Sequence, residues 1–209
     1  MRYSKEHKSA VHTRIVKAAS ALFREKGSRG AGVVDVMKAI GLTHGGFYQH
    51  FKSKDVLFIE ALTHAMDQSV ARWRKAARGP TPTHRLKGVV DAYLTPRHRD
   101  NLADGCAVAT MGAEIARESG AIHEAYAAKL EEMIGVLSER RPEGENAGVR
   151  KHALVALSAM VGALVLARAT GKGALSQEIL VATREGLSAQ AEDLRSGRYG
   201  VGTQSFRRT

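Results

Sequence analysis

Between residues 15 and 51 the apolar side chains recur three and four positions apart, and glycines cut the pattern at 27 and 41. That period is helical, and the cuts leave room only for short helices. Ile15, Ala18, Ala19, Leu22 and Phe23 line one face of a helix predicted over 13–26, which Gly27 stops after Arg24 and Lys26. Val33, Val36, Met37 and Ile40 line a second helix over 33–40, broken by Gly41-Leu42. Thr43 is placed to cap a third over 43–51, with Phe47 and Phe51 as buried anchors. Ser53 caps a fourth that runs to about residue 78, with Asp55 at the positive end of its dipole. Two short helices separated by a glycine turn make the helix-turn-helix pattern.

The rest of the chain keeps the helical period. GPTPT at 79–83 is the clearest break. After it, helices are predicted at about 86–94, 106–117, 122–137, 149–170 and 176–194, with PRHRDNLADG and RPEGENAG as loops. There are four prolines and no stretch of alternating polar and apolar residues. The expected fold is all-α, with about nine helices. A three-helix domain with an N-terminal arm would occupy 1–54, a larger helical domain 55–196, and a flexible Gly- and Arg-containing tail 197–209.

Charge is distributed unevenly. Residues 1–54 hold 11 Lys+Arg against 3 Asp+Glu, and residues 55–209 hold 21 against 18. A basic segment joined to a near-neutral body implies an anionic partner, with nucleic acid ahead of a membrane surface. The single cysteine, Cys106, excludes an intrachain disulfide and fits a reducing, cytoplasmic setting. No window is read as having the roughly 18 apolar residues of a membrane span.

The third helix carries the chemistry. Gly45 and Gly46 each cost an interior helix about 1 kcal/mol relative to alanine. Without side chains there, the backbone can approach a major groove and accept a thymine methyl. Thr43, His44 and Gln49 can then reach base edges, while Tyr48, His50, Lys52 and Lys54 are placed for phosphates. Arg14 and Val33 on the preceding helices complete the candidate DNA-contacting set.

Residues 10–62 resemble the DNA-binding domain of TetR/AcrR-family transcriptional regulators. The resemblance rests on AASALFREKG in the first helix, Val36-Met37 with Ile40-Gly41 in the second, and THGGFYQHFKSK from Thr43 to Lys54. Gly32 departs from the Thr or Ser usual in the family, and His44-Gly45-Gly46 from the commoner Lys-Gly-Thr or Lys-Gly-Ser. The chain is similar to a subset carrying Thr-His-Gly-Gly-Phe-Tyr. The resemblance implies a homodimeric, all-helical repressor that binds double-stranded operator DNA and is released by a small-molecule effector.

For that effector the residues suggest an apolar or aromatic compound held among Trp73, Tyr93, Cys106, Met111, Glu114, Tyr126, Met133 and Met160. Taken singly, each of these also fits ordinary core packing. The small residues Ala156, Ala159, Gly162 and Ala163, with Leu187 on the last helix, would form a four-helix dimer interface. Cys106 opens its helix and is read either as a small buried hydrophobe or, by the resemblance, as the thiol of a redox- or electrophile-sensing repressor. No nucleophile elbow, phosphate loop or dinucleotide fingerprint points to an enzyme. The nine histidines show no metal-ligand spacing, and no cofactor is implied. A nonspecific basic DNA-coating protein is the rival from another class.

Overall fold

The computed structural model describes residues 5–118, 120–138 and 147–195. The expected tail over 197–209 and the arm residue Arg2 lie outside them. Among the described residues there are ten helices and no strand. They are α1 Lys5–Gly30, α2 Val33–Ala39, α3 His44–Phe47, α4 Lys54–Ala76 and α5 Pro82–Tyr93, then α6 Pro96–Asp100, α7 Ala107–Ile115, α8 Ala121–Ser138, α9 Ala147–Ala169 and α10 Ala174–Arg195.

Three differences from the sequence expectation have physical causes. First, α1 begins at Lys5, so residues 5–12 of the expected arm are helical. Lys, Glu and Ala favour helix there, and His12 pins the segment. Its ring stacks on Phe51 at 4.4 Å, and its Nε2 lies 2.6 Å from Glu60 Oε2 on α4. Second, the tenth helix, α6, sits in the expected PRHRDNLADG loop. Thr95 Oγ1 accepts from His98 N at 3.1 Å and Pro96 fills the first turn, the same cap that Thr81 and Pro82 give α5. Third, Gly148–Ala169 is long and apolar enough to cross a membrane by length and composition, which corrects the expectation that no such window exists. Its cations, Arg150, Lys151 and Arg168, sit near its two ends and leave the middle uncharged. One face of this helix packs into the core through Ala153, Ala156, Leu157, Met160, Ala163, Leu164 and Ala167.

The central strut is α4. It packs on both α1 and α8, while α9 packs on α10. The buried side chains form one cluster. It runs from Ile15, Phe23 and Phe47 through Leu57, Leu62 and Met66 to Met111, Met133, Met160 and Leu187. Burying each large side chain contributes about 1.5–3 kcal/mol.

Candidate nucleic-acid interface

The α2–α3 pair is built from its buried residues outward. Val36 and Met37 of α2 and Phe47 of α3 are all at or below 1 % exposure. Phe47 stacks on Phe51 at 5.5 Å. With these faces fixed, Thr43, His44, Gly45, Tyr48, Gln49 and Lys52 are exposed, and Gly46, His50 and Lys54 are half-buried. Tyr48 is 65 % exposed although it is aromatic, and its ring stands edge-on to His44 and Phe47.

The two glycines differ. A Cβ on Gly45 would meet no atom within 4 Å, whereas one on Gly46 would meet Met37 Cε at 3.6 Å. Gly45 therefore leaves its outer side open, and Gly46 lies against the second helix. Thr43 occupies the cap position with extended backbone, but its hydroxyl makes no capping bond. Helix α3 itself is one turn, shorter than the span expected, because the backbone passes into turns after Phe47.

Several expected contacts are also structural ties. Arg14 Nη2 donates to Ile40 O at 3.1 Å, joining α1 to the end of α2. Lys54 Nζ donates to Ser28 O at 2.6 Å, joining the start of α4 to the end of α1. Val33 is half-buried, while its neighbour Val34 is 58 % exposed. His50 Nδ1 is buried without a hydrogen-bond partner. Burial, with His12 and Lys8 nearby, lowers the pKa of His50. At α2, Asp35 Oδ2 accepts from Gly32 N at 2.7 Å. That carboxylate caps the helix where Gly32 has no side chain to offer.

Sequence reasoning left open what the start of α1 does. The structure brings His7, Lys8 and Val11 beside Thr43, Gly46, Gln49 and His50 around a cavity of about 570 Å³. In the sequence, Arg2, Lys5 and Lys8 permit minor-groove or phosphate contact by this arm; of the three, Lys8 lines the cavity.

Of the expected effector residues, the structure brings together Trp73, Tyr93 and Cys106. They line a cavity of about 320 Å³ with Arg72, Arg97, His98 and Asp104. Met111, Met133 and Met160 are fully buried core residues outside it, and Tyr126 is half-buried beside Gly112. Glu114 lies elsewhere. Its Oε2 accepts from both Ser28 N and Ser28 Oγ at 2.7 Å, tying α7 to the end of α1.

Sequence reasoning missed His98, which organises the cavity. Its Nε2 accepts from Cys106 N at 3.0 Å, and its Nδ1 lies 2.7 Å from Tyr93 O. The first contact leaves the ring proton on Nδ1 to donate to Tyr93. Burial pushes the His98 pKa down to about 4 despite the hydrogen bond to Tyr93. Cys106 itself is 1 % exposed.

On α9 and α10, the expected interface residues Ala156, Ala163 and Leu187 are buried within the protomer, while Ala159 and Gly162 are half-buried. The open face of α9 instead carries Leu154, Val155, Val165 and Leu166, the last 57 % exposed. A helix that is apolar all round does not reveal from its sequence which side its own protomer covers.

Residues 15–61 match the family model described as bacterial regulatory proteins, tetR family, so the chain carries a TetR-family N-terminal domain. The chain is 33 % identical over 76 residues to the HTH-type transcriptional repressor KstR2 of Mycobacterium tuberculosis, a match covering 36 % of this chain and 38 % of KstR2. It is 33 % identical over 78 residues to the HTH-type transcriptional activator FasR of Mycolicibacterium smegmatis, covering 37 % and 36 %. The chain thus spans well under half the length of these curated relatives. A TetR transcriptional regulator from Chloroflexus aurantiacus shares the fold with a TM-score of 0.74 at 24 % identity, over 90 % of this chain and 96 % of the other.

Proposed function

We propose that this chain is a TetR-family transcriptional regulator. It binds double-stranded operator DNA as a cytoplasmic homodimer, represses transcription, and is released by a small-molecule effector. One observation carries the reading. A short helix anchored by Phe47 presents Thr43, His44, Tyr48 and Gln49 to solvent beside the bare backbone of Gly45, within the stretch that matches the tetR family. Thr43, His44 and Gln49 suit base edges, and Tyr48, Lys8, Lys52 and the start of α4 suit phosphates. The Thr-His-Gly-Gly-Phe-Tyr run defines the recognition subset to which we assign it.

The domain boundary falls at the start of α4. Helices α1–α3 read DNA, and the larger helical part senses the effector and dimerises. Two features support dimerisation. The open face of α9 is apolar, and α10, which packs on α9, exposes the small residues Ala182, Gly186 and Ala189 on one of its faces. A second copy would cover both in a four-helix packing. Effector binding would shift the population toward a spacing at which the two recognition helices no longer match their half-sites. Burial of Cys106 shields its thiol from bulk oxidants, so a bound effector is preferred to a thiol switch. A footprint of the protein on DNA upstream of its own gene tests the dimer: we expect two protected half-sites about one helical turn apart. A single protected half-site would overturn it.

A further inference from the structure

We propose that the cavity at Trp73, Tyr93 and His98 takes a small aromatic carboxylate. This rests on the regulator reading above and gives its small-molecule effector, expected from the sequence as apolar or aromatic, an anionic group.

Four observations lead there. Tyr93 lines the cavity at 3 % exposure, and its buried hydroxyl has no oxygen or nitrogen partner, only the Cys106 thiol close by. A thiol is a weak acceptor for a buried phenol, and a ligand oxygen would serve it better. Second, the surrounding charge is in surplus. The one carboxylate on the wall, Asp104, is already paired with Arg72 at 3.3 Å, and Arg97 stands on the same wall. Third, two more guanidinium groups stand behind the Gly105-Cys106 backbone. Arg24 donates to Gly105 O at 3.0 Å, and Arg168 donates to His98 O at 3.0 Å and Arg99 O at 3.1 Å. Both spend their hydrogen bonds on carbonyls, apart from a long contact of Arg24 to Gln68, and Arg168 Nη1 is buried with no partner. Burial lowers the pKa of each, against a partial pull from Asp104 at Arg24 and with no carboxylate acting on Arg168. His98 adds no charge of its own near neutral pH, because burial holds it deprotonated.

Fourth, the walls are aromatic. Trp73 and Tyr93 meet edge to face at 5.7 Å, and His98 stands edge-on to Tyr93 at 4.5 Å. These rings offer flat apolar surface to a ring-bearing ligand, and about 320 Å³ limits it to a small one. An anion bringing an aromatic ring would balance the arginines, accept from Tyr93 and fill the aromatic side.

The test uses the full chain and two matched pairs of probes, benzoate against benzamide and salicylate against salicylamide, titrated by calorimetry near neutral pH. The expected result is that each carboxylate binds at least tenfold more tightly than its amide. Tyr93→Phe should weaken carboxylate binding about tenfold while melting close to the parent, since it removes a hydroxyl whose neighbour is only a thiol. A purely structural tyrosine would instead lower the melting temperature and leave the preference intact. The proposal is overturned if the amides bind as well as the acids, if neither carboxylate binds at millimolar concentration, or if Tyr93→Phe keeps full affinity. The same preparations are assayed on upstream DNA. DNA binding without carboxylate binding removes the ligand assignment alone, and carboxylate binding without DNA binding removes the regulator reading alone.

Discussion

At Gly45 the free and DNA-bound states make opposite demands. In the free protein a side chain there would meet open space, and replacing an exposed helical glycine gains up to about 1 kcal/mol. On DNA the same space is where the groove floor would lie. Gly45→Leu should therefore melt at or above the parent temperature yet lose at least a hundredfold in operator affinity, about 2.7 kcal/mol. Melting curves and gel-shift titrations on one preparation check both halves, and normal DNA binding would remove the close-approach account. A second residue-scale consequence concerns His98. Its folded pKa of about 4 lies below the ordinary 6.5. As pH falls between those values the unfolded chain takes up a proton that the native chain refuses, so stability is lost on acidification. The loss reaches up to about 3 kcal/mol by pH 4. Urea unfolding from pH 7 to 4.5 should show it, and His98→Gln should flatten that slope.

At the scale of elements, the joint between α1 and α7 shows most clearly how far local sequence reaches. Gly27 ends the regular part of α1, as the sequence indicates, with φ 76° and ψ 162°. A Cβ at that position would also run into the Glu114 carboxylate. Glu114 then takes both Ser28 donors, and Lys54 takes the Ser28 carbonyl. Glu114→Ala should destabilise the protein by about 1–3 kcal/mol, since it leaves the buried Ser28 donors without their charged acceptor. Equilibrium denaturation measures this, and an unchanged midpoint would mean the joint is slack. Local signals made some of this legible: the glycine stop at 27, the Ser53 cap on Val56 N at 3.2 Å and the Phe47 anchor all read directly from neighbouring residues. Glu114 did not, because its partner lies 86 positions away. Nothing in a nine-residue helix tells which neighbour its carboxylate will meet. Helix α6 was missed for another reason. Its Thr-Pro cap is plain in sequence, but a proline and four polar or charged residues carry no apolar period.

For the whole molecule, the uneven charge and helical periodicity sufficed to anticipate an all-helical chain with a basic N-terminal unit, because both are sums over many residues. The effector cavity was only partly legible. Trp73 on α4, Tyr93 on α5 and Cys106 just before α7 meet there, but the methionines expected beside them pack into the core. Aromatic and sulfur side chains look alike in sequence whether they line a hole or fill one. The face that would join two protomers was obscured in the same way, since α9 is apolar on both sides. The central claim is that the exposed α3 surface reads sequence rather than merely attracting phosphate. It is tested most directly by titrating the purified protein against DNA upstream of its own gene and against a scrambled duplex, over a range of salt. The account predicts at least a hundredfold preference for the upstream duplex, about 2.7 kcal/mol, that persists as both affinities fall with salt. Equal affinities falling together would contradict it and leave a nonspecific basic DNA-coating protein.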